Sequence, residues 1–169
     1  YPYIFLPSRL EKLKRQDLLI EAMRHVKTDV KLILSGQGGL EDHCRQMIAQ
    51  YGLQNRVALL GQISDAAKYA YYAHALAIAY PAYDEDYGYV TLEAMLSSKP
   101  VITCTDSGGP LEFVLDRETG YICQPEPQAI AEAFDRCRKE QQRATQLGRN
   151  GRRRYEEINL SWDNVVNTL

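Results

Sequence analysis

Ala75-Leu76-Ala77-Ile78-Ala79-Tyr80-Pro81 is an unbroken apolar run stopped by proline, and a loop then leads to a helix opening after Gly88. A strand with one wet face would alternate apolar and polar residues. A run with no alternation predicts a strand covered on both faces. The same pattern recurs outward in both directions. Upstream lie Tyr3 to Leu6, Val30 to Gly36 and Val57 to Gly61; downstream lie Pro100 to Cys104 and Gly120 to Cys123. Helical spacing fills the gaps at Asp17 to Met23, at Leu40 to Tyr51 (closed by Gly52), and at Asp65 to Ala73, where Ser64 can cap the start. Residues 130–150 and 152–158 also read as helical, and Ser161-Trp162-Asp163 reads as the start of a short terminal helix. Strands apolar on both sides and separated by helices predict an α/β fold, an open parallel sheet with helices on both faces.

At 169 residues, the chain is one ordinary domain with enough material for a real core. It is 45% hydrophobic and 25% charged, which is globular, and its net charge of -2 argues against a nucleic-acid partner. No apolar run approaches bilayer length, and the start at Tyr1-Pro2-Tyr3 shows no signal peptide. The chain lacks an initiator Met and begins inside an apparent strand, so it is expected to be a piece of a longer protein. Cys44, Cys104, Cys123 and Cys137 form no CxxC pair and stand at no zinc-finger spacing from a histidine. Reduced, buried thiols in a cytoplasmic protein are expected rather than disulfides or a metal site.

Arg9, Gly36, Gly61, Pro81 and Gly108 each fall just after a strand end. In an open parallel sheet those ends form the carboxyl edge, where ligands bind. The segment from Tyr83 to Met95 is the most specific. Glu85 sits in a loop, free to reach a sugar, and the amides near Gly88 open a helix and can face a phosphate. Glu93 lies inside that helix among Leu92, Ala94 and Met95. A carboxylate there needs hydrogen-bond donors, which the paired hydroxyls of a ribose could supply.

Three further clusters carry weaker signals. In Ser8-Arg9-Leu10-Glu11-Lys12-Leu13-Lys14-Arg15, Arg9 offers a fork and Lys14 a point charge to phosphate oxygens. The competing reading is a solvated charged loop, and Lys12 and Arg15 are assigned to that reading. Ser35-Gly36-Gln37-Gly38-Gly39 lacks the Gly-Lys-Ser/Thr of a Walker loop, and reads as a tight turn that brings backbone near a nucleotide. In Ser107-Gly108-Gly109-Pro110-Leu111-Glu112, Pro110 suits the first helical position and Glu112 the first turn, while the paired glycines permit close contact with a ligand. The histidines show no ligand spacing. Tyr69, Tyr71 and Tyr72 read as packing residues, and the basic run Arg149, Arg152, Arg153, Arg154 as a solvated helix face, with a membrane-surface contact as the alternative.

Taken in order, these segments resemble the C-terminal, donor-binding domain of a family 4 (group 1) glycosyltransferase of GT-B architecture. The resemblance covers nearly the whole chain. It rests on Ser8-Arg9-Leu10 with Lys14, on Leu34 to Gly38, on Asn55-Arg56-Val57, on the Glu85 and Glu93 pair, and on Gly108 to Glu112, ending at Ser161-Trp162. It implies a Rossmann-like sheet and retaining transfer of a sugar from a nucleotide donor, UDP- or GDP-linked, to an acceptor sugar or lipid-linked glycan, without a bound metal or other cofactor. By resemblance, Arg9 and Lys14 bind the diphosphate, Glu85 contacts the donor sugar and Glu93 holds the ribose. The backbone at Tyr87, Gly88 and Tyr89 lines the sugar-diphosphate site. Gln62, Ile63, Gly36 and Gly38 neighbour the base, and Gly108 and Gly109 border the site. Ser98 stands where the family usually has glycine, Ala82 replaces a frequent serine and Tyr87 a common phenylalanine. The acceptor side is expected from an N-terminal domain of the same full-length protein, so the chain alone is expected to bind nucleotide weakly without turnover. The alternatives are a GT-B-like nucleotide-sugar epimerase and a non-catalytic regulatory nucleotide-binding module. The first would need further acid/base residues at the sugar; the second would be expected to have lost Arg9, Lys14 or Glu85.

Overall fold

The structure, a computed structural model, describes the backbone of residues 1–167 and side chains of residues 1–158. Strands β1 (Tyr3–Pro7), β2 (Lys31–Ser35), β3 (Val57–Leu59), β4 (Ala77–Ala79), β5 (Val101–Cys104) and β6 (Gly120–Cys123) form a parallel sheet in the order β3-β2-β1-β4-β5-β6. Helices α1 (Gln16–Met23), α2 (Glu41–Gln50), α3 (Asp65–His74), α4 (Tyr89–Leu96), α5 (Pro110–Phe113), α6 (Pro127–Lys139) and α7 (Gln141–Asn167) connect and cover it. Each strand matches an apolar run in the sequence. Side chains alternate between faces: Ile4 and Leu6 join one buried cluster with Leu19, Ile20 and Phe134, while Tyr3 and Phe5 join another with Tyr72, Ala75 and Ala94. Both faces are therefore covered, as a parallel sheet requires.

Strand order reverses beside β1. The chain runs outward through β2 and β3, then returns by α3 to place β4 on the other flank of β1. The loops leaving β1 and β4 meet there at the carboxyl edge, the ordinary ligand position in such sheets, where the Tyr83 amide donates to Leu13 O at 2.8 Å. Ser64 caps α3 as expected, its Oγ accepting from the Ala67 amide at 3.1 Å.

Two helical expectations are corrected. Residues 130–150 do not form one helix: Glu140 leaves helical geometry (φ -113°, ψ 58°) and separates α6 from α7. The break lets α6 pack on α1 and α7 on α4, which lie on opposite faces of the sheet. Residues 161–163 continue α7 instead of starting a new helix, and the Ser161 and Trp162 side chains lie outside the described ones. All four cysteines are buried and free, and burial pushes the Cys104 thiol up to about 12. Among the described residues no helix is long and apolar enough to cross a membrane.

Candidate functional site at the strand-order switch

After β1 the chain makes a short 3-10 turn, Lys12–Lys14, which aims Lys14 back over the sheet edge. Its ammonium meets Glu85 Oε2, and it donates to the Tyr80 hydroxyl at 3.3 Å. Tyr80 closes the triangle by donating to Glu85 Oε2 at 2.9 Å. Burial pushes the Glu85 carboxyl up, but the bonds from Lys14 and Tyr80 outweigh it and hold the group below the ordinary carboxylate range. Burial, then the bond to Glu85, pushes the Tyr80 hydroxyl upward, so Tyr80 stays a donor. The Glu85 backbone is pinned to the loop after β5: its amide donates to Ser107 O at 2.8 Å, and its carbonyl accepts from the Gly109 amide.

Helix α4 opens at Gly88 in the left-handed region (φ 65°, ψ 60°). A Cβ there would lie 2.9 Å from Pro110 Cγ and 3.3 Å from the Tyr80 ring, so only glycine lets the helix start this close to the cluster. The first amides of a helix have no acceptor within it and carry the positive end of its dipole. Tyr87 and Tyr89 flank this turn with largely exposed, stacked rings, 6.1 Å apart. Farther along α4, Glu93 is half-buried. Its two oxygens accept from Lys68 at 3.2 Å and from the Tyr72 hydroxyl at 2.7 Å. Each oxygen keeps a lone pair for a further donor.

The remaining expected residues are distributed less uniformly. Arg9 stays outside the Lys14–Tyr80–Glu85 triangle. Its side chain is 76% exposed and pairs with Glu11 at 3.4 Å. Gln62 is exposed after β3, and Ile63 packs partly into the core. At Gly36, Gly38 and Gly109 the Cβ direction is already filled by protein backbone, at Ser8, Leu10 and Asp86 respectively. Close loop-to-loop packing thus explains these glycines without a ligand. Gly108 forms the bridge to Glu85.

Sequence reasoning passed over four groups. Tyr80 ends the apolar run at the carboxyl edge, and a hydroxyl at that position was the available signal. Tyr72 packs as expected, but a buried tyrosine hydroxyl needs a partner, and that partner is Glu93. Lys68 carried no signal, since a lysine on an amphipathic helix is ordinary. Arg15, assigned to the surface, instead makes a bidentate pair with Asp106 at 2.7 and 2.7 Å. The basic run on α7 is also corrected in part: Arg152 donates to Leu96 O, and Arg154 to Phe113 O at 2.8 Å and Glu112 O at 3.0 Å. These arginines cap the ends of α4 and α5, whose last carbonyls lack helical partners.

A parallel sheet with this order, with charged side chains gathered at the carboxyl edge beside the switch point, defines a Rossmann-like α/β domain. The comparisons narrow the class. The description "Glycosyl transferases group 1" matches residues 1–154, and the chain belongs to that family. It is 31% identical over 139 residues to the alpha-1,3/1,6-mannosyltransferase ALG2 of Dictyostelium discoideum, covering 78% of this chain and 33% of that protein. It is 34% identical over 123 residues to an N-acetylgalactosaminyltransferase of Campylobacter jejuni acting on a diphospho-undecaprenol-linked sugar, covering 72% and 33%. Anabaena Alr3699/HepE, solved with UDP and glucose, superposes with a TM-score of 0.85 at 28% identity, covering 99% of this chain and 48% of that one. The sheet is the Rossmann-like half of a GT-B fold. The chain spans 33% to 41% of the length of the ALG2 relatives it matches.

Proposed function

We propose that this chain is the C-terminal, donor-binding domain of a retaining glycosyltransferase that takes its sugar from a UDP- or GDP-sugar. The observation that carries this reading is the Lys14–Tyr80–Glu85 triangle beside the start of α4, at the switch point of a sheet shared with a UDP-bound relative. Cleavage of the sugar–phosphate bond builds negative charge on the departing diphosphate. The Lys14 ammonium and the amides at Tyr87, Gly88 and Tyr89 are fixed donors for that charge, and Arg9, exposed at the same edge, can fold over the phosphates. Glu93 accepts the two ribose hydroxyls, with Lys68 and Tyr72 holding its oxygens in place. Glu85, kept ionised by its partners, faces the donor sugar and stabilises positive charge at the reacting carbon.

The acceptor, a sugar or lipid-linked glycan, falls to a second domain of the full-length protein. Turnover then requires both halves closed around the substrates. Cytoplasmic localisation belongs to the same reading, and the four free, buried thiols are in keeping with a reducing compartment. Calorimetry of UDP-, GDP- and ADP-sugars on this chain tests it. One nucleotide class is expected to bind weakly, binding is expected to weaken in Lys14→Ala and Glu93→Ala, and no turnover is expected. Binding unaltered by both substitutions would remove the site, and turnover by the chain alone would remove the requirement for a second domain.

A further inference from the structure

Two residues with side chains hold left-handed backbone on either side of the Lys14–Glu85 pair. Arg15 (φ 59°) directly follows Lys14, and Asp84 (φ 46°) directly precedes Glu85. Such conformations oppose a Cβ and persist where their surroundings over-determine them. Asp106, in the loop after β5, fixes both. Its carboxylate takes both arms of Arg15 at 2.7 Å, and its carbonyl accepts the Asp84 amide at 3.0 Å. Arg15 also donates to Pro81 O at 3.3 Å and lies over the Tyr83 ring at 5.1 Å, while the Tyr83 amide donates to Leu13 O at 2.8 Å. The loops after β1, β4 and β5 are thereby tied at one point. The pair is well covered, with side-chain exposures of 20% for Arg15 and 33% for Asp106.

We propose that Arg15 and Asp106 are positioning residues for the Lys14–Glu85 centre, their bidentate pair setting the separation of the two loops that carry the ammonium and the carboxylate. This assignment rests on the donor-site reading given above. The side-chain hydrogen bonds of Arg15 run to Asp106 and Pro81 O and not to Lys14 or Glu85, so the pair acts through the adjoining backbone. A direct phosphate contact by Arg15 is disfavoured, because both guanidinium arms that reach Asp106 are committed there. An Arg–carboxylate fork resists rotation in a way that a Lys–carboxylate contact does not, which suits a part that must hold an angle.

The test is an NMR titration of the Glu85 carboxyl in the wild-type chain, Asp106→Asn, Arg15→Gly and the double variant. Glycine adopts φ 59° freely, so Arg15→Gly removes the pair without adding backbone strain and keeps the test readable if Asp106→Asn folds poorly. The Glu85 pKa is expected to rise by about half a unit or more in the double variant, which loses no net charge, and in Asp106→Asn, where the unpaired Arg15 cation would by itself lower it; the rise in Arg15→Gly also contains the loss of a cation. A fall in melting temperature with the Glu85 titration unmoved would assign the pair to stability alone and overturn the proposal. Binding supplies the second readout: UDP affinity is expected to fall about tenfold in each variant while uridine affinity holds, since only the diphosphate reads the Lys14 position. If Lys14→Ala and Glu93→Ala weaken UDP binding but Asp106→Asn and Arg15→Gly do not, the positioning role fails and the donor site stands. If the wild-type chain binds no nucleotide, the donor reading fails, and the Glu85 titration still decides whether the pair positions that centre.

Discussion

Both edges of the sheet carry partly buried charge, and apart from the Arg138–Asp29 pair at the amino edge they satisfy it differently. At the amino edge, Asp135 of α6 accepts from the backbone amides of Lys27 (3.1 and 3.0 Å) and Thr28 (2.9 Å). Beside it, Arg56 donates to the carbonyls of Thr28 at 2.8 Å and Val30 at 3.1 Å. At the carboxyl edge the partners are side chains: Lys14 and Tyr80 on Glu85, Lys68 and Tyr72 on Glu93, Arg15 on Asp106. A backbone partner cannot rotate away or change its charge, so the amino edge is scaffold. Side-chain partners can share an oxygen or move aside when a ligand brings its own donors. The difference teaches where to look for chemistry in a chain with charge at both ends of its strands.

Substitutions at the two edges should separate binding from stability. In the full-length enzyme, Lys14→Ala or Glu85→Gln is expected to lower kcat by about 10²–10³, the scale of losing one fixed transition-state donor, with the melting temperature little changed. Steady-state kinetics alongside thermal unfolding reads both, and a melting temperature that fell as steeply as activity would break the distinction. Asp135→Ala should do the reverse. It leaves the Lys27 and Thr28 amides without their acceptor and is expected to destabilise the chain by about 2–3 kcal/mol in urea unfolding, with nucleotide affinity preserved in the folded fraction.

Smaller effects sharpen the contrast. Glu93→Gln keeps the shape of the proposed ribose site but removes its charge. About tenfold weaker nucleoside binding is expected by calorimetry, with pyrophosphate affinity unchanged. Acid should reach both edges alike. Burial raises the Asp135 pKa, but the Lys27 amide and then the Thr28 side chain and amide outweigh it and lower the pKa, and the bond from Arg15 lowers that of Asp106; both start from 3.8. A depressed native pKa contributes stability that is present above the unfolded value and lost as pH falls through the native one. Urea midpoints should therefore hold from neutral pH to about 4 and drop below it; a drop already complete at pH 5 would point to other groups. Smallest is Ser98, which holds φ 56° at the end of α4. Ser98→Gly is expected to stabilise by up to about 1 kcal/mol by removing that strain.

The sequence alone determined the layers of this protein and the edge that carries its site. Short apolar runs without alternation, separated by helical spacing, pointed to strands covered on both faces, and in a parallel sheet the residues after them gather on one rim; both follow from local periodicity, run length and chain direction. It also singled out Arg9, Lys14, Glu85 and Glu93 as the charges worth testing, of which Arg9 stays exposed and pairs with Glu11. Tertiary structure alone decided the company they keep. Tyr72 meets Glu93 from a different helix, Lys14 meets Tyr80 from a different loop, and Arg15 finds Asp106 across 91 positions. Residue spacing does not encode such distances, because they are set by how loops from non-adjacent strands converge once the sheet twists and packs. Structure likewise assigned Gly36, Gly38 and Gly109 to loop packing, since a glycine that admits backbone looks the same in sequence as one that admits a ligand.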